Sequence, residues 1–173
     1  MYSHLRLRCD IYFSYLIPQE QKGGLLMGEI KIVRSKDIEP DPLPDAKEGV
    51  GYLKRIIYPH KIPAKGFFFG VGEANPGYSL HRWHSHTIDK AKGLKVVYPK
   101  NFEELYHIIR GHGVVQWKMK DGEIREEKVK AGDTILFPPG VPKHQLLNTG
   151  KQKMFVVLCG SPPIKVTLRK PKS

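Results

Sequence analysis

The sequence predicts an all-β domain, and three observations carry that prediction. Seventeen glycines and 14 prolines in 173 residues are too many for a packed helical bundle and suit short strands joined by turns. Apolar-rich runs recur roughly every ten residues from Glu29 onward, the rhythm of sandwiches and barrels. No stretch sustains the 3.6-residue apolar period of an amphipathic helix. At 40% hydrophobic, the chain is long enough for one domain with a sizeable core and short for two.

In chain order, residues 1–28 read as an N-terminal extension without a clear period. Asp10 interrupts its apolar run, and Pro18 with the Gln/Glu/Lys stretch after it offers no small-residue cleavage site, so a secretory signal is not expected. The codons of Gly23 and Gly24 can spell a purine-rich ribosome-binding sequence, which marks Met27 as an alternative start. The barrel domain is expected over 29–173, with its motif-bearing core at 66–160. Strands are predicted at 30–33, 52–58, 67–71, 78–86, 104–109, 114–119, 124–129, 134–137, 144–148, 154–159 and 164–168. Breakers separate them: Asn75-Pro-Gly77, Gly111-His-Gly113, Asp121-Gly122, Ala131-Gly-Asp133 and Thr149-Gly150. Asp121-Gly122 between apolar-rich runs is a strong hairpin signal, and an antiparallel meander closing into a sandwich or barrel follows. Residues 37–49, with Pro40, Pro42 and Pro44, read as an extended linker.

Several function classes fall away on composition. The longest apolar runs are a handful of residues, where a membrane span needs about 20. Cys9 and Cys159 cannot build a disulfide scaffold or a four-thiolate zinc site, which points to a reducing cytoplasm. The net charge of +12 and pI near 9.7 raise the question of nucleic acid. However, the basic residues are dispersed: Lys90, Lys92, Lys95 and Lys100 in one segment, Lys165, Arg169, Lys170 and Lys172 at the C-terminus, and a mixed-sign stretch at 118–130. No nucleic-acid motif is present. A solvated, lysine-rich surface, as in heat-adapted proteins, is expected, with no specific nucleic-acid or membrane partner.

Three of the eight histidines cluster as His81-Arg-Trp-His84-Ser-His86. If this segment is a strand, alternate residues share a face, so Arg82, His84 and His86 point one way and His81, Trp83 and Ser85 the other. Two imidazoles about 7 Å apart on one strand face can converge on a cation.

The residues that follow resemble the cupin superfamily. Its first motif is matched by Gly77, His84-Ser-His86, Glu104 and Gly111. Its second is matched by Gly132, Pro138-Pro-Gly140, His144 and Asn148. The spacing departs from the pattern at three places: six residues separate Gly77 from His84 rather than five, three separate Gly140 from His144 rather than two, and 17 separate His86 from Glu104 rather than three or four. Glu103 and Asp89 compete for the carboxylate position, and Glu104 is preferred for its six-residue spacing to Gly111. The resemblance implies a single cupin β-barrel, the double-stranded β-helix or jelly-roll. It also implies a divalent transition metal (Fe, Mn, Ni, Cu, Co or Zn) held by His84, His86, Glu104 and His144, and a homodimer. A metal-free polar pocket is the other reading of the same residues.

Reaction class does not follow from the resemblance, which spans dioxygenases, isomerases, decarboxylases and lyases. A small oxygenated or carboxylated, anionic substrate is expected, with a non-catalytic or sensory binding protein as the competing class. Arg82 is a candidate fork for the anionic end, Glu104 a ligand or base, and Tyr106 a polar pocket residue or core. The insertion at 87–101 reads as a loop or extra hairpin, or as a lid whose lysines attract an anion. His107 and His112 are not expected to be ligands. Asn148 is expected to bond backbone or substrate, and Cys159 to be core.

Overall fold

The structure is a computed structural model and describes residues 30–41, 51–59, 61–81, 83–89 and 94–168. The chain divides into two units, Met1–Ile32 and Val33–Ser173. Of the first, only residues 30–32 are described, so Met27 and the whole N-terminal extension at 1–28 lie outside the described residues, as do Arg82 and most of the 37–49 linker.

Among the described residues of the second unit the regular structure is strand, apart from a 3-10 turn at Ser35–Asp37. The strands are β1 (Gly51–Ile57), β2 (Phe68–Ala74), β3 (Ile88–Asp89), β4 (Leu94–Val97), β5 (Glu103–Arg110) and β6 (His112–Lys118). They continue with β7 (Ile124–Lys130), β8 (Thr134–Phe137), β9 (His144–Asn148), β10 (Met154–Ser161) and β11 (Lys165–Leu168). Every pairing among them is antiparallel. Three sheets form, in the orders β1-β2-β10-β5-β8, β7-β6-β9 and β11-β4-β3.

Alternation sets the core. β2, β9 and β10 bury every second residue, so Phe68, Leu146, His144, Asn148, Met154, Val156 and Leu158 point inward. β5 does the same with Glu104, Tyr106 and Ile108, which places a carboxylate and a phenol on the inner face.

Three expectations need correction. The sheets are not a meander: β2 pairs β10, β10 pairs β5 and β6 pairs β9, the crossed neighbours of a jelly-roll. Residues 30–33 form no strand. Nor does 78–86, which carries only the bridges Ser79 to Leu147 and His84 to His144. Between those bridges this segment advances five residues while β9 advances three, and the two surplus residues bow the chain out as a bulge does.

Elsewhere the local chemistry behaves as read. At the β6–β7 hairpin Gly122 adopts φ +94°, and the Asp121 carboxylate accepts from the Glu123 N–H at 3.0 Å. The insertion after His86 contains the β3–β4 hairpin, which β11 extends to a three-stranded sheet. Its return brings Val96 and Phe102 into the core. Among the described residues, no helix is long and apolar enough to cross a membrane.

Candidate metal centre

Four side chains converge inside the barrel. One nitrogen or carboxylate oxygen from each of His84, His86, Glu104 and His144 lies within 4.8 Å of the other three. Each arrives for a local reason. Glu104 is the second residue of β5 and faces inward by alternation. His144 opens β9 after the 138–143 turn, where Gly140 at φ +73° and the 3.1 Å bond from the Val141 N–H to the Pro138 carbonyl set the exit direction. His84 is tied to His144 by two backbone bonds, His84 N–H to His144 O at 3.1 Å and the reverse at 2.8 Å. His86 is held by aromatic rings: Tyr98 stacks on it at 5.2 Å and Phe102 meets it edge-on at 4.9 Å.

The polar atoms of this cluster are arranged for a cation. His86 Nε2 lies 2.9 Å from Glu104 Oε2, with both side chains almost fully buried. Neither that nitrogen nor His144 Nε2 makes a hydrogen bond in the structure. A buried polar atom that lacks a hydrogen bond costs on the order of 1–3 kcal/mol, and a cation among these atoms would offset that cost, most clearly at His144 Nε2. The chemistry of the set agrees, since three imidazoles and one carboxylate are a mixed N/O donor set for a divalent transition metal.

Tautomers follow from the surrounding hydrogen bonds. The His144 Nδ1–H donates to the Pro142 carbonyl at 2.9 Å, which leaves the lone pair on Nε2. Burial pushes the His144 pKa down to about 4, against a smaller upward pull from the Pro142 carbonyl, so the ring is neutral near pH 7.

A second chain joins the other side of the cluster. His81 Nε2 lies 2.6 Å from the Tyr106 hydroxyl and His81 Nδ1 lies 3.0 Å from His84 Nδ1, and Tyr106 shares the inner face of β5 with Glu104. Each of these two contacts takes one donor, and the tautomers of His81 and His84 decide which ring nitrogen supplies it. Burial, and then the Glu104 charge, raise the Tyr106 pKa well above its ordinary value and keep the hydroxyl protonated.

His81 therefore corrects the alternation argument. It shares the interior with His84 because the segment bulges instead of running as a strand. Arg55 was also invisible in the sequence. It lies on β1, its guanidinium 5.1 Å over the Tyr58 ring and 3.4 Å from Asp41. Burial disfavours its charge, but Tyr58, Tyr98, Asp41 and Glu104 outweigh that and raise its pKa. In the sequence it is only the second of two adjacent cations, Lys54 and Arg55, in a strand pattern, and that signal is weak.

Of the remaining candidates, Tyr106 is buried and hydrogen-bonded within the site. Glu103 is exposed. His107 bonds Thr134 on the outer side at 2.9 Å, and His112 is exposed. Asn148 is occupied by backbone, giving to the Ala74 and Gln152 carbonyls and accepting from the Gly150 N–H. Cys159 is half-buried and free, and burial raises its pKa.

No protein-family model matches the chain, and no curated protein matches it in sequence. Solved structures do resemble it. An oxalate oxidase superposes with a TM-score of 0.58 at 15% identity, over 93% of this chain and 75% of that one. The oxalate decarboxylase of Lactobacillus farciminis, in its formate complex, gives 0.54 at 20% identity over 77% of this chain. The aligned region spans 34% of that protein's length. A predicted oxalate decarboxylase from Thermotoga maritima gives 0.51 at 22% identity, over 76% of this chain and 98% of that one. At these identities the likeness is one of fold.

Proposed function

We propose that this chain, which has the fold of the cupin superfamily, is a metal-dependent enzyme acting on a small oxygenated or carboxylated molecule. The observation that carries the reading is the convergent set His84, His86, Glu104 and His144, with Nε2 of His86 and of His144 lacking hydrogen bonds. These four residues are the proposed ligands. A divalent transition metal bound there (Fe, Mn, Ni, Cu, Co or Zn) supplies Lewis acidity toward a substrate oxygen.

The protein residues set the rest of the chemistry. Three neutral imidazoles and one carboxylate leave one positive charge on a divalent ion, which favours an anionic group at the open positions. Tyr106 shares the inner face of β5 with Glu104 and its hydroxyl meets His81, whose other nitrogen contacts His84. Tyr98, Phe102 and Phe137 pack around His86 and exclude water from that side. Arg82 is proposed to hold the anionic end of the substrate, as a fork whose charge no physiological pH removes. The neighbours that act on oxalate support a carboxylate head group.

The protein is further proposed to work as a homodimer. Leu105 and Leu136 face each other across β5 and β8 on the outer side of the five-stranded sheet, 36% and 63% exposed. A second copy would cover them.

A turnover screen tests the enzymatic reading. Metal-loaded protein incubated with small hydroxy, keto and carboxylic acids should convert one of them, and His144→Ala should not. Ligand-induced thermal stabilisation without turnover across the screen would favour the binding-protein reading.

A further inference from the structure

We infer that the substrate carries a single charged head on an apolar, ring-sized body, rather than being a small diacid. The inference rests on the metal-centre reading above and deepens it by naming the substrate class. A cleft of about 290 Å3 opens between the β8 edge and the β6–β9 sheet, at the lower end of the usual size range of small-molecule sites. Its walls are Val115, Trp117, Ile135, Phe137, Pro138 and Val141, and it ends on the His144 ring.

Pairing explains why these side chains share one face. Val115 and Trp117 stand opposite Leu146 and His144, while Ile135 and Phe137 stand opposite Tyr106 and Glu104. All therefore belong to the inner surface of the barrel. The Phe137 ring lies nearly parallel to His144 at 4.3 Å, so the apolar wall runs up to a proposed ligand.

The lining decides between substrate classes. Among the described residues no charged side chain lines the cleft, and its polar side-chain groups are the His144 ring and the Trp117 indole. A second carboxylate placed there would lose its water without gaining an ionic partner. A phenyl or branched aliphatic body would lose nothing and bury apolar surface against the rings. The cleft meets the centre at His144, whose Nε2 lacks a hydrogen bond. That junction suits a molecule whose head sits at the centre and whose body fills the cleft.

Calorimetric titration of the metal-loaded full chain with acetate, oxalate and phenylacetate tests this. Full burial of a phenyl ring is worth about a hundredfold in affinity, of which at least roughly tenfold should remain after the cost of ordering the ligand. Phenylacetate should therefore bind at least tenfold more tightly than acetate, which has the same head group, and more tightly than oxalate. In Val115→Trp, which fills the cleft, that advantage should fall below about threefold while metal content and acetate affinity stay unchanged. Phenylacetate should also shift tryptophan emission in the wild type and not in Trp117→Phe.

Equal affinity for phenylacetate and acetate, tightest binding of oxalate, or an advantage that survives Val115→Trp would overturn the inference. So would a Val115→Trp variant that changes oligomeric state instead of ligand affinity, since the cleft would then be an interface. If Val115→Trp does not fold, the emission test decides, and an unchanged Trp117 signal overturns the proposal. Metal content of the titrated sample is read separately. Its absence defeats the metal-centre reading, whereas the ratio of phenylacetate to acetate affinity still decides the cleft.

Discussion

Tyr106 and His81 form a polar chain that ends on His84. Tyr106→Phe removes the hydroxyl that holds the His81 ring against His84, with the ring's packing against Phe137 preserved. Metal affinity should fall about tenfold to a hundredfold, as for other outer-shell partners of metal ligands. A competition titration against a chelating dye measures it, and an unchanged affinity would reduce Tyr106 to core packing. At this scale the histidine pair and Glu104 were legible because ligand chemistry and motif spacing are written in residue types. His81 was not, because its placement depends on a bulge that period-two reasoning does not contain.

Gly111 sits where β5 hands over to β6, and two constraints meet there. Its φ is +92°, and a Cβ would lie 2.9 Å from the Met154 Cα on β10. Gly122, in the β6–β7 turn, has φ +94° but nothing within 4 Å of a built Cβ. Gly122→Ala should therefore cost about 1–2 kcal/mol from the left-handed backbone alone. Gly111→Ala should cost about 2–4 kcal/mol, because overpacking against a neighbouring strand adds to it. Urea unfolding of the two variants side by side measures the difference, and equal losses would show that the Met154 contact relaxes freely.

Elements with strong local signals were readable: the Asp121-Gly122 hairpin, and the buried alternation of Met154, Val156 and Leu158. The 78–86 segment was misread as a strand because its partner is β9, some sixty residues away, and the surplus of two residues between its bridges lies in that long-range register. The insertion was read as a loop, hairpin or lid. It contains a hairpin because Val96 and Phe102 reach the core on its return.

On the scale of the whole molecule, strand count and turn density were enough for an antiparallel β architecture, whereas strand order was not. A meander and a jelly-roll share local patterns and differ only in which distant strands pair. Outer-face Leu105 and Leu136 remain available to a partner. Leu105→Glu should convert the proposed dimer to monomer in light scattering, and an unchanged mass would move the interface elsewhere.

The central claim concerns the interior, and metal content tests it most directly. The protein would be purified without a metal-affinity column and analysed by plasma mass spectrometry, wild type beside His84→Ala, each before and after reconstitution. The account predicts close to one equivalent of a transition metal in the wild type and its loss in the variant. A wild type that takes up no metal even after reconstitution, or a variant that holds it equally well, would contradict it.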